Sequence, residues 1–215
     1  MLATTDTQLR DVTRTVEQDG PGFAVILAQA FDAPPAEVWA ALTEPARILR
    51  YFGEVTGELR EGGEFRIPMM GVHGPVLTVQ ERELLRIAWG FEAHASSVEL
   101  RIGPSADGTG SLFTLRHHVP ADKHWDTYGP AATGCGWDGA LLGLARHLQQ
   151  PATSWTQEMA GFETSSEGRE FVTATCELWQ QAHLAAGADP HQAHEAAART
   201  AAFYRGEGPN GGDTA

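Results

Sequence analysis

The chain has 215 residues, 42% of them hydrophobic, and carries 15 basic against 28 acidic residues for a formal net charge of −13. That length suits one substantial domain, or a domain with an appendage, whose core needs no disulfide or metal to hold it. The charge repels phosphate backbones and anionic bilayers, which argues against nucleic-acid binding, and the longest apolar stretch, Phe23 to Phe31, is about half of what a membrane-spanning helix needs.

The first 19 residues are polar and show no apolar signal-peptide core. Cys135 and Cys176 lie in separate segments and form no closely spaced pair, so a soluble protein of the reducing cytoplasm is expected. In FAVILAQAF, the residues Phe23, Val25, Leu27 and Phe31 share one side of a period-two pattern, which predicts a strand. The next segment, DAPPAEVWAALTEPARILRYF, changes to helical signals. Asp32 or Ala33 is expected at the cap with Pro34 in the first turn, and Val38 and Leu42 fall on one face. Thr43, Glu44 and Pro45 interrupt the run and start a second short helix bearing Ile48, Tyr51 and Phe52.

From Gly53 to Pro120 the alternation returns. A turn at Gly62 and Gly63 precedes Phe65, Ile67 and Met69 on one face, and Leu77 and Val79 lie opposite Thr78 and Gln80. Ile87, Trp89 and Phe91 align next; Val98, Leu100 and Ile102 oppose Glu99 and Arg101; and Phe113, Leu115, His117 and Val119 share a face. Arg66 and Arg116 have the opposite parity and should meet solvent. The pattern is a meandering antiparallel sheet with one apolar and one polar side.

A polar linker containing Trp125 and Tyr128 follows, and these two side chains are expected to pack as a lid over one end of the next helix. In that helix Trp137, Leu141, Leu144 and Leu148 form a continuous stripe, which must be buried against the sheet. A curved sheet wrapped round a long helix leaves a gap, the candidate cavity. Asp138 is expected in the helix's first turn, where the dipole favours negative charge. Beyond Pro151, Thr164 and Glu167 mark a cap for a helix carrying Phe171, Leu178 and Trp179. Gly187 ends it, and Asp189 and Pro190 open an alanine-rich helix running to about Arg205. The division expected is a polar N-terminal segment 1–19, a main domain 20–150, a helical extension 151–205 and a disordered tail 206–215.

The stretch FDAPPAEVWAALTEPARILRYFG, followed in order by GELREGGEFRI, RELLRIAWGF and GCGWDGALLGLARHLQ, resembles the START-like or SRPBCC superfamily. Within it, the branch resembled is the C-terminal domain of the activator of the Hsp90 chaperone ATPase. The resemblance covers about residues 20 to 150. It implies an α+β helix-grip (Bet v 1-like) fold, in which a curved antiparallel sheet grips a long C-terminal helix. The chain departs from the branch at Tyr51, where members often have Trp, and near Glu81 to Arg86, where many have a proline-containing turn. The superfamily implies an internal cavity for a small hydrophobic or aromatic molecule. Some of its members are cyclases or dehydratases acting on aromatic or polyketide-like substrates, and the chaperone-activator branch implies a protein-interaction module as a third class.

The residues themselves carry no nucleotide or metal signature: GELREGG lacks phosphate-loop spacing and there is no HExxH, so no cofactor and no metal is expected. His117 and His118 are adjacent and point to opposite faces, and a metal site would have to recruit His73 or His94. His117 shares its face with Phe113 and Leu115, where it would serve as an acid or base or as a hydrogen-bonded structural group. The cavity candidates are Phe65, Met69, Ile87, Trp89, Phe91, Phe113, Leu115, His117, Trp137, Leu141 and Leu144. The partner expected is a small hydrophobic molecule. The C-terminal apolar stripe would cover the domain or pair two copies as a homodimer.

Overall fold

The computed structural model describes residues 2–90, 96–162 and 164–207. Phe91, His94 and residues 208–215 of the expected tail lie outside them.

The polar N-terminal segment supplies two elements. Helix α1 (Thr5–Asp11) leads into strand β1 (Thr13–Asp19), which pairs antiparallel with β2 (Gly22–Phe31) across a turn where Gly20 takes φ 57°. Val16 is the one buried apolar residue of β1, because a sheet edge needs few apolar side chains and is protected by polar ones. Helices α2 (Pro35–Thr43) and α3 (Pro45–Ile48) follow β2. The cap of α2 is Pro34, with Pro35 rather than Pro34 in the first turn: a first-turn residue has no use for the N–H that proline lacks.

Six further strands complete the sheet: β3 (Thr56–Gly57), β4 (Glu64–Ile67), β5 (Val72–Gln80), β6 (Leu84–Ala88), β7 (Ser97–Pro104) and β8 (Ser111–Pro120). The order is β1-β2-β8-β7-β6-β5-β4-β3, with every neighbouring pair antiparallel. Two irregularities override the expected alternation. At Pro68–Met70 the chain makes a single 3-10 turn, so Met69 leaves the face of Phe65 and Ile67 and is 73% exposed. A bulge between Val76 and Thr78 puts Val76 opposite Ile87 and Val79 opposite Leu85, while Leu77, the extra residue, turns outward beside Arg86 and His118. Leu77 and Val79 therefore do not share a face.

The linker is largely helical. Helix α4 (Lys123–Tyr128) is capped by Asp122, and α5 (Ala131–Gln149) begins well before Trp137. Trp125 stacks on Phe23 at 4.2 Å and meets His183 edge-on at 5.5 Å, which fastens α4 to β2. Neither Trp125 nor Tyr128 lines the cavity described below.

Helix α6 (Thr156–Phe162) precedes α7 (Ser166–Ala185) and α8 (Pro190–Tyr204). Ser165, not Thr164, caps α7; the Thr164 hydroxyl donates instead to the Gly161 carbonyl. Asp189 accepts from the N–H groups of His191 and Gln192 at the start of α8, as expected from the Asp-Pro pair. The apolar stripe of α7, including Phe171, Cys176 and Trp179, is buried against α5 and β1, with Leu178 on its flank. Contact is so close that a Cβ on Gly134 of α5 would sit 2.1 Å from the Trp179 ring. Cys135 and Cys176, distant in sequence, bring their free thiols to 3.3 Å in this interface. Among the described residues no helix is long and apolar enough to cross a membrane.

Candidate functional site

Antiparallel register aligns apolar side chains in rows across the inner face of the sheet. Leu85, Leu100, Leu115 and Leu27 form one row across β6, β7, β8 and β2, and Ile87, Val98, His117 and Val25 form the next. Helix α5 lies over these rows with Leu141 and Leu144 buried toward them. Between sheet and helix remains a cavity of about 100 Å³. Of the side chains singled out from the sequence, it brings together Phe65, Ile87, Trp89, Phe113, Leu115, Trp137, Leu141 and Leu144. Met69 instead lines a separate cleft, and Phe91 is not among the described residues.

The rest of the wall was not anticipated as such. Leu42, Ile48, Tyr51, Phe52, Val55 and Leu59, from the two short helices and the chain that follows them, also line the cavity. The apolar spacing of the two short helices was visible, but which way they fold back was not. Tyr51 is buried; its hydroxyl donates to the Ala41 carbonyl at 3.1 Å and its ring stacks on His147 at 5.3 Å, so it presents a face rather than a polar atom.

His117, also expected in the cavity, does not line it but borders a neighbouring opening. It sits in an aromatic cluster, with the Trp89 ring 5.9 Å and the Trp137 ring 5.8 Å away and those two rings 4.9 Å from each other. Its hydrogen bonds determine its state. The Trp137 indole has only a donor, and it donates to His117 Nδ1 at 2.9 Å, so Nδ1 is unprotonated. The Ser96 hydroxyl gives its single hydrogen to the His118 carbonyl at 2.9 Å and therefore accepts from His117 Nε2–H at 2.6 Å. The imidazole is neutral with both nitrogens occupied. Burial, with a smaller contribution from His118, pushes its pKa down to about 3. His118 points outward as expected and pairs with Asp19, while Arg116 pairs with Glu17 and Asp19 on that outer face.

Asp138 is not a first-turn residue. It lies within α5, fully buried, and accepts two bonds from Arg14 of β1 at 2.6 and 3.1 Å and one from Trp179 Nε1 at 2.9 Å. Burial pushes its carboxyl up while Arg14 and Trp179 pull it down, with burial the larger effect. The group ties the gripping helix to the edge strand and to α7. Among the described residues, no cluster of three or more metal-binding side chains occurs.

Comparison with known proteins agrees with this architecture. The family described as Activator of Hsp90 ATPase homolog 1-like protein matches residues 32–149. The crystal structure of CalU16 from Micromonospora echinospora is 29% identical with TM-score 0.58, over 78% of this chain and 97% of that one. Its solution structure gives 28% and 0.59, over 82% and 97%. Both likenesses span more of the chain than the family match does. A protein of unknown function from Enterococcus faecalis, EF2215, shares the fold at 17% identity and TM-score 0.61, over 82% of this chain and 93% of that one. No curated protein matches. With helix-grip architecture, element order and family match in agreement, the chain belongs to the Activator of Hsp90 ATPase homolog 1-like family of the START-like (SRPBCC) superfamily.

Proposed function

We propose that this protein binds a small hydrophobic molecule in the space between the sheet and α5. The observation that carries the reading is the wall itself: every described side chain lining the cavity is apolar or aromatic, and none bears a charge. An apolar cavity of this kind stays dry, and one of roughly 150 Å³ takes up benzene. At about 100 Å³ the space suits a compact apolar group. The state of His117 favours binding over acid–base catalysis on an aromatic or polyketide-like substrate. Its lone pair and its N–H are both engaged, and protonating Nδ1 would set it against the Trp137 N–H. For a homodimer through the C-terminal helices, the α7 stripe is already occupied within the chain, and Leu184 and Phe203 are the large exposed apolar side chains left on α7 and α8.

Native mass spectrometry of gently purified protein tests the proposal. A discrete mass excess that disappears on denaturing extraction is the expected result. An unadorned protein mass, together with no benzene-induced NMR shift at Ile87, Leu115 or Leu141, would overturn it.

A further inference from the structure

Phe52 stands where three spaces meet. It lines the inner cavity, a cleft of about 330 Å³ bounded by α5, α6 and α7, and an opening of about 200 Å³ beside His117. Its neighbour Tyr51 is pinned by a hydrogen bond and a stacked ring, whereas Phe52 is half-buried in the turn after α3. Gly53 follows with φ 149°, a conformation that side-chain-bearing residues rarely adopt. Tyr51 and Ala140 also stand between the cavity and the cleft, but Tyr51 is pinned and Ala140 has only a methyl, so Phe52 in its glycine-flanked turn is the part of the partition with room to move.

Beyond Phe52 the cleft is mainly apolar, and its Thr156 and Tyr204 hydroxyls donate to the Leu49 and Ala132 carbonyls. Met69 and Met70, exposed where the alternation of β4 breaks, form an unbranched, adaptable lip. On α5 the wall is Cys135, Gly136, Gly139 and Ala140, and a Cβ on Gly139 would meet no described atom within 4 Å. No described side chain lining the cavity or the cleft carries a charge. A charged group here would be desolvated without a partner, and the net charge of −13 opposes anions in particular. The inner cavity alone falls below the roughly 300–1,000 Å³ typical of ligand sites, and the cleft brings the whole into that range.

Resting on the cavity-binding reading, we infer that the ligand site continues past Phe52 into the α5–α6–α7 cleft and takes an elongated, uncharged, apolar molecule. Its compact head lies in the inner cavity and its tail runs along Gly139. Phe52 is the movable part of the partition, and the exposed methionines find their use as the lip of the tail site.

Benzene and n-octylbenzene, titrated by NMR into the wild-type chain and into Gly139→Leu, test this. Leucine favours helix over glycine and meets open space there, so the variant should fold with its melting temperature maintained. The wild type should bind octylbenzene at least about tenfold more tightly than benzene, since each buried methylene adds affinity. Gly139→Leu should lower octylbenzene affinity by about tenfold and leave benzene within about twofold. Intermolecular NOEs from the octyl chain to the Gly139 Hα protons of the wild type supply a second readout independent of the variant. If benzene does not bind the wild type, the cavity reading and this extension fall together. If benzene binds while octylbenzene is insensitive to Gly139→Leu or shows no NOE to Gly139, only the extension falls. Equal losses for both ligands overturn it too, because the plug would then be acting on the inner cavity.

Discussion

The two sides of α5 solve opposite problems. Toward the sheet, Trp137, Leu141 and Leu144 stop short of their partners and leave a cavity. Toward α7 and β1, Gly134 admits the Trp179 ring at a distance no side chain could share, and Asp138 is held by Arg14 and Trp179 with no space between. Apolar groups on a curved sheet need no partner at a set distance, so a gap costs only lost dispersion contacts. A buried carboxylate requires its donors at hydrogen-bond distance, which forces the helix, the strand and α7 into one arrangement. The packed side gives the gripping helix its position, and the open side keeps the space in which the proposed ligand would lie.

That contrast is sharpest where the buried ion pair is broken. Arg14→Met leaves the Asp138 carboxylate buried with only the Trp179 N–H, and should cost about 3–5 kcal/mol in urea denaturation. A loss under about 1 kcal/mol would show that Asp138 can reach water or accept a proton at little cost. Gly134→Ala drives a methyl into the Trp179 ring and should destabilise by about 1–3 kcal/mol, although alanine favours the helix. Stabilisation would mean that α7 yields to α5.

On the open side the effects are smaller. His117 has its pKa pushed down to about 3, against an ordinary value near 6.5. Between these values the unfolded chain binds a proton that the folded chain does not, so stability falls as pH is lowered through this window, by up to about 1.4 kcal/mol per pH unit. Burial shifts His147 and His183 in the same direction, so the decisive measurement is the difference between the wild type and His117→Asn. Asparagine can still offer Trp137 an acceptor but does not titrate, and equal acid slopes for the two proteins would contradict the assigned state. Least of all should Ile87→Val matter: it trims a wall already beside empty space. A loss near 1 kcal/mol or less, with benzene binding retained, is expected from thermal denaturation and NMR titration.

Much of the cavity wall was legible because it obeys a period. Ile87, Trp89, Phe113 and Leu115 alternate along strands, and Leu141 and Leu144 recur on a helix, so each face could be assigned without knowing its partner. The misreadings fall where a local irregularity resets the phase. The 3-10 turn removes Met69 from its expected face, and the bulge turns Leu77 outward. Strand β1 escapes the periodicity for another reason: an edge strand with a single buried apolar side chain has little apolar signal to read.

The sequence by itself determined the kind of fold and the apolar character of its interior, since periodicity, turn residues and charge act over a few neighbouring positions. Only the tertiary structure decided what the polar residues do. Arg14 and Asp138 are 124 positions apart, and His117 takes its state from Ser96 and Trp137 on either side of it in the chain. The size of the cavity and its division at Phe52 belong to the same class. They are differences between surfaces that meet only when the sheet curves and α5 closes over it, and no local pattern encodes the distance that remains.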